Sequence, residues 1–296
     1  MKPFALAKSV AALLACGIAA SPAMAEDDLD TGIDKTKGGG FVGLGVAYKP
    51  DYEGGDDYEA IIAPFGAYVW GSGRSIKLGG TSGSERAGRV TFDALTRDTA
   101  WQFGPVLQYR MERDDVDNSK VDRMRDIDAA TELGAFLGWQ GGRLNLSTTF
   151  ASDVSDEHDG YLWYFDGKYK IPMNNSLTLS VGAHLTWASE DYMEIYFGVK
   201  SSDAVRSGLS KYSADEGFKD TGLSLTAHYK FNDAWGIGGL VKYTRMLNDA
   251  EDSPLVDDVG DKNQLGAVVA MTSVSYTHLT LPTMRLRCRS RWSPYH

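Results

Sequence analysis

From Trp101 to Trp187 the chain alternates apolar and polar side chains, strand after strand, and this period restricts the possible folds more than any other feature. Between 101 and 111 the odd positions are Trp101, Phe103, Pro105, Leu107, Tyr109 and Met111. The even positions are Gln102, Gly104, Val106, Gln108 and Arg110. A period of two sends successive side chains to opposite faces, so one face meets an apolar medium and the other is wet. Aromatic residues cluster near the ends of the apolar rows. Segments of about ten residues with that pattern are expected of an antiparallel barrel whose outer wall faces lipid. A soluble sandwich or lipocalin-like barrel would instead bury its aromatics mid-strand.

The same reading places strands at residues 41–49, 58–70, 75–80, 89–95, 101–111, 127–139, 144–152, 161–171, 177–187, 221–231 and 235–246. A further one opens at Asn263. The expected fold is therefore all-β, an up-and-down transmembrane β-barrel of about 12 strands. From Thr96 onward short turns (96–99, 140–143, 172–175, 232–234) alternate with longer polar connections (112–126, 153–160, 188–220, 247–262). Short periplasmic turns and long outer loops are the rule for such barrels, which puts both barrel ends in the periplasm.

The first residues read as an export signal over 1–25. Lys2 and Lys8 precede an apolar stretch too short to span a bilayer, and Ala23-Met24-Ala25 supplies small residues for cleavage. A lipoprotein box ending at Cys16 is the rival reading. Residues 26–38 form an acidic, polar lead-in, and 39–272 the barrel. Residues 273–296 carry four arginines, Cys288 and no acid, and break the alternation. They read as a non-native tail derived from an adapter or frameshift, which predicts an incomplete last strand. Setting aside Lys2, Lys8 and those arginines leaves 24 basic residues against 40 acidic ones, which argues against nucleic acid as a partner.

Several blocks, in order, resemble the MipA/OmpV family of outer-membrane proteins: residues 48–58 (YKPDYEGGDDY), Gly104-Pro105 to Tyr109-Arg110, 126–129 with 132–136, 196–199 with 207–209, and 249–256. The resemblance implies a small outer-membrane barrel. It also implies a scaffold role linking a murein lytic transglycosylase (MltA) to a penicillin-binding protein, with adhesion or solute passage as alternatives. It brings no catalytic residues and no cofactor. Lipid and lipopolysaccharide are the expected surroundings.

Candidate residues fall in two groups. Tyr196, Phe197, Gly198 and Val199 form an apolar centre in the long 188–220 connection, which is expected to fold inward and constrict the lumen. Glu132, Asp166, Lys168, His184, His228 and Lys230 occupy the polar rows and are expected to line the lumen. Catalysis is not expected, because no serine or aspartate is spaced to orient His184 or His228. The run Asp115–Ser119 with Asp126 echoes a calcium loop but has Lys120 where the turn glycine belongs, so no metal site is assigned. The acids Asp51, Glu53, Asp56 and Asp57 are expected on an exposed outer rim.

Overall fold

The computed structural model describes residues 38–96 and 98–276. The strands are β1 (Gly39–Pro50), β2 (Tyr58–Val69), β3 (Ser75–Gly80), β4 (Ala87–Asp93), β5 (Trp101–Arg110), β6 (Ala130–Gly141), β7 (Leu144–Asp153), β8 (Tyr161–Pro172), β9 (Leu177–Ala188), β10 (Gly217–Lys230), β11 (Trp235–Met246) and β12 (Asn263–Tyr276). Each pairs antiparallel with its sequence neighbour, and β12 closes on β1 to form a 12-strand barrel. Closure removes the sheet edges, so the wall can sit in hydrocarbon with its backbone groups paired.

Side-chain parity follows the alternation. Val42, Leu44 and Val46 on β1, Leu223 and Leu225 on β10, and Leu265, Val269 and Met271 on β12 are exposed on the outer wall. Such a row is intelligible only against lipid. Trp101, Tyr169, Tyr229 and Trp235 lie toward one end of the wall, and Tyr48, Trp163 and Tyr243 toward the other, all exposed. These are the two interfacial girdles. Among the described residues no helix is long and apolar enough to cross a membrane.

Two expectations fail here. The last strand is complete: β12 pairs with β1 from Tyr48↔Ala267 to Gly39↔Tyr276. Ser273 and Ser275 are small and polar, so they hide the alternation, yet Thr272 remains buried inside and the ladder continues. The tail beyond 276 and the signal at 1–25 lie outside the described residues. The second failure is Ile127, read as the first residue of the strand at 127–139. β6 begins only at Ala130, and Ile127 is buried, bridged to Arg113 in the connection that precedes the strand.

Two irregularities shape the interior. β3 and β4 are short, and β2 pairs with β3 only over Gly66–Val69. The connection between them, residues 81–86, turns into the lumen instead of extending the wall. It reaches β10 and β11, where Lys242 Nζ donates to the Gly83 carbonyl at 2.6 Å and Ser84 Oγ donates to Asp220 Oδ2 at 2.7 Å. In β10 the register shifts between Phe218 and Asp220. A bulge of this kind re-aims a side chain, and here it buries two successive residues, Lys219 and Asp220, inside.

Candidate functional site

At the outer end the barrel is capped by its own connections. The segment after β9 carries two short helices, α1 (Glu190–Tyr196) and α2 (Ser201–Ser207), and that after β11 carries α3 (Asn248–Glu251) and α4 (Pro254–Asp257). Tyr192, Met193, Tyr196 and Phe197 pack with Ile127, Leu162, Tyr164, Met246 and Val256. A second cluster joins Tyr52, Val116, Val121, Met124, Val199, Leu209 and Leu255. Four connections thus share apolar cores. At Gly54, with φ of +88°, a Cβ would stand 2.4 Å from Val256 Cγ2, so only glycine lets the first connection lie against α4.

Beneath this cap lies a buried lattice of charges. Arg110 is its centre. Its Nε donates to Glu132 Oε1 at 2.8 Å, and its Nη1 donates to Glu53 Oε1 at 3.1 Å and to the Tyr192 hydroxyl at 2.8 Å. The guanidinium also lies over the Tyr192 ring, 4.7 Å from its centroid. Glu132 further accepts from Gln108 Nε2 at 2.6 Å and lies 3.1 Å from His158 Nε2. Lys219 Nζ donates to Asp220 at 2.7 Å, Glu53 at 3.0 Å and Glu85 at 3.3 Å. Arg110, Glu132, Lys219 and Asp220 are each about 0–1% exposed, so this is a water-poor plug with little screening.

Two groups outside the strands record that environment. Burial pushes the Tyr192 hydroxyl well above its ordinary value, keeping it a hydrogen-bond donor. For Glu85, burial acts upward, but attraction from Lys219 and then Arg110 outweighs it and holds the carboxyl well below the ordinary range.

On the other side of the plug is a polar cavity of about 170 Å³. Its wall includes Lys77, Arg89, Lys168 and Lys242 with a single carboxylate, Asp166, and His184 beside them. Thr81, Gln102, Asn145 and Thr149 also contribute. Arg89 is held by neutral partners, donating to Gln108 Oε1 from Nε at 3.0 Å and Nη2 at 2.9 Å while stacking on Tyr164.

The residues singled out in the sequence are distributed over these regions. Tyr196, Phe197 and Val199 are buried in the cap, and Gly198 lies among them. Glu132 belongs to the plug. Asp166, Lys168 and His184 line the cavity. His228, buried, sits 3.1 Å from Thr272 Oγ1, and Lys230 is half-buried at the inner end of β10. The rim expectation is corrected for Asp51 and Glu53, which are buried; Glu53 is drawn in by Arg110 and Lys219. The histidine expectation needs correcting too: an aspartate does stand beside His184, with Asp220 Oδ1 at 3.6 Å from Nε2. Asp220 Oδ2 is already held by Lys219 and Ser84, and no serine hydroxyl bonds His184 among the described residues. Nor do the described residues contain a group of His, Cys, Asp or Glu able to hold a metal ion.

Sequence reasoning passed over Lys219, Glu85 and Arg110. Arg110 was findable, since it shares the even parity of Gln108 on β5. Lys219 was not, because the bulge reverses its face.

The lipid-facing wall, the two girdles and the polar, occluded lumen define a bacterial outer-membrane β-barrel. A family model described as MltA-interacting protein MipA matches residues 42–277, and the chain belongs to that family. Among its relatives, the MltA-interacting protein of Escherichia coli is 36% identical over 112 residues, 38% of this chain and 44% of the relative. Outer membrane protein OmpV of Vibrio cholerae is 30% identical over 149 residues, 48% of this chain and 54% of the relative. The chain thus spans about half the length of these curated relatives. Among solved structures, the NanC porin aligns with 79% of this chain and 98% of its own, at 12% identity and a TM-score of 0.42. The protein resides in the outer membrane of a Gram-negative bacterium.

Proposed function

We propose that this barrel is a non-enzymatic scaffold that holds a murein lytic transglycosylase at the outer membrane and links it to a penicillin-binding protein. The observation that carries this reading is the plug. A lumen crossed by Arg110, Glu132, Lys219 and Asp220, all buried and ion-paired, is poorly suited to solute passage. Under this reading the cap residues Tyr196, Phe197 and Val199 hold the closure in place. The faces left for partners are then the lipid-facing wall and the periplasmic rim. The printed name of the Escherichia coli relative, MltA-interacting protein, supports the choice of partner.

A narrow channel is the second reading, favoured by the cation-lined cavity below the plug. One experiment separates the two. The tagged chain is purified from detergent extracts of its own envelope, probed for a lytic transglycosylase, and reconstituted in planar bilayers. The scaffold reading expects co-purification and a silent bilayer. Steady conductance without a bound transglycosylase would replace it with the channel.

A further inference from the structure

We infer that the cavity beneath the plug is a binding site for a small oxyanion, a phosphate or a compact dicarboxylate, entering from the periplasm. Four observations converge on it. The wall is charge-imbalanced, with Lys77, Arg89, Lys168 and Lys242 facing one carboxylate, Asp166. In a narrow, poorly screened lumen such an excess raises the local concentration of anions and rewards neutralisation.

The cations are also held as a ligand site holds them. Arg89 is clamped by the Gln108 amide oxygen and the Tyr164 ring. Lys242 is fixed by the carbonyls of Ser82 at 3.3 Å and Gly83 at 2.6 Å. Neutral partners orient Arg89 without cancelling its charge, so it stays available to an anion; Lys242, held by carbonyls, also feels Glu85 and Asp220 of the plug. The guanidinium fork suits two oxygens of one carboxylate or phosphate.

The third observation is unspent hydrogen-bonding capacity. Thr81 is 2% exposed and its hydroxyl has no partner; the Ser82 hydroxyl and both ends of the Asn145 amide are likewise buried without one. All three residues line the cavity. Buried polar atoms are normally satisfied, and these neutral groups would complete the shell of an oxyanion. The fourth is size and access. About 170 Å³ admits a small anion but no acyl chain. The plug shuts the outer side, whereas Gln102 and Asn145 carry the wall toward the inner ends of β5 and β7.

The test is calorimetric titration of the folded, detergent-solubilised chain with inorganic phosphate and with succinate, using glycerol as the uncharged control. Folding is checked by heat-modifiable gel mobility. The site predicts saturable one-to-one binding, competition between the two anions and no binding of glycerol. Arg89→Gln should weaken binding about tenfold, the loss of one charge-assisted contact. Lys168→Gln should act in the same direction. Lys120→Gln, in an outer connection, should change nothing. If Arg89→Gln misfolds, Lys168→Gln decides. Absence of saturable anion binding, equal binding of glycerol, or unchanged affinity in the folded Arg89→Gln or Lys168→Gln protein would overturn the inference. The scaffold reading is unaffected by that result, because transglycosylase co-purification is measured separately.

Discussion

Replacing Glu132 by glutamine should be among the most damaging conservative changes available to this barrel. The substitution keeps shape and removes one charge at a site with 0% exposure. Three neighbours answer to that carboxylate: Arg110 at 2.8 Å, Gln108 at 2.6 Å and His158 at 3.1 Å. Breaking a buried ion pair from one side costs about 3–5 kcal/mol, because the surviving charge is left uncompensated. Arg110 keeps Glu53 at 3.1 Å, and glutamine still accepts one hydrogen bond. Both place the expected loss near the lower end, at about 3 kcal/mol. The assay is urea unfolding in detergent micelles, followed by tryptophan fluorescence, with the midpoint converted through the measured slope. The double variant Glu132→Gln/Arg110→Met is the sharper arm. Removing both members of the pair should cost less than the two single losses added together. A loss below about 1 kcal/mol for Glu132→Gln, or strict additivity in the double variant, would refute the claim that these charges act as one lattice.

Two further outcomes follow from the same geometry. The folded-state carboxyl of Glu85 is held below its ordinary value of 4.5, so its stabilising contribution is fully present above that pH and is lost as pH falls through the lowered value. The gap in urea midpoint between the wild type and Glu85→Gln should therefore be widest near neutrality and narrow steadily below pH 4.5; a gap that stays constant down to pH 3 would contradict the ion-pair assignment. Leu225→Arg, on the outer wall of β10, should destabilise the protein in liposomes by about 2–4 kcal/mol if the residue faces mid-bilayer hydrocarbon. A neutral result would mean that this row does not meet lipid.

How much of this was legible in the sequence depends on whether backbone parity held. Where strands are regular, every face was readable: Glu132, Asp166, Lys168 and His184 fall on the inner rows because they share the even positions of their strands. Parity failed at the β10 bulge, where Lys219 joins Asp220 inside. It also failed at the end of β12, where Ser273 and Ser275 gave no apolar signal although the backbone pairs normally with β1. The cap was the least legible part. Asp51 and Glu53 lie in an acidic, loop-like run, and composition alone reads such a run as solvated. What buries them is distant in sequence: Arg110 and Lys219 for Glu53, and the Asp117 amide for Asp51 at 3.0 Å. Local sequence carries no trace of partners that far away.

The outer wall also explains why the closure is ionic rather than apolar. A strand that must be apolar outside, for lipid, keeps its period only if the inner row is polar, and a narrow lumen brings those polar rows within bonding distance of one another. Side chains meeting there without water must neutralise each other, and a fully paired lattice is one solution. In this barrel the solution is lopsided. Around Arg110 and Lys219 stand four carboxylates, Glu53, Glu85, Glu132 and Asp220. Directly below, the cavity wall carries four cations to one carboxylate. Acid above and base below attract across the lumen floor and tie the cap to the wall through Lys242 and the 81–86 connection. A barrel stiffened this way is poorly built to open toward the medium.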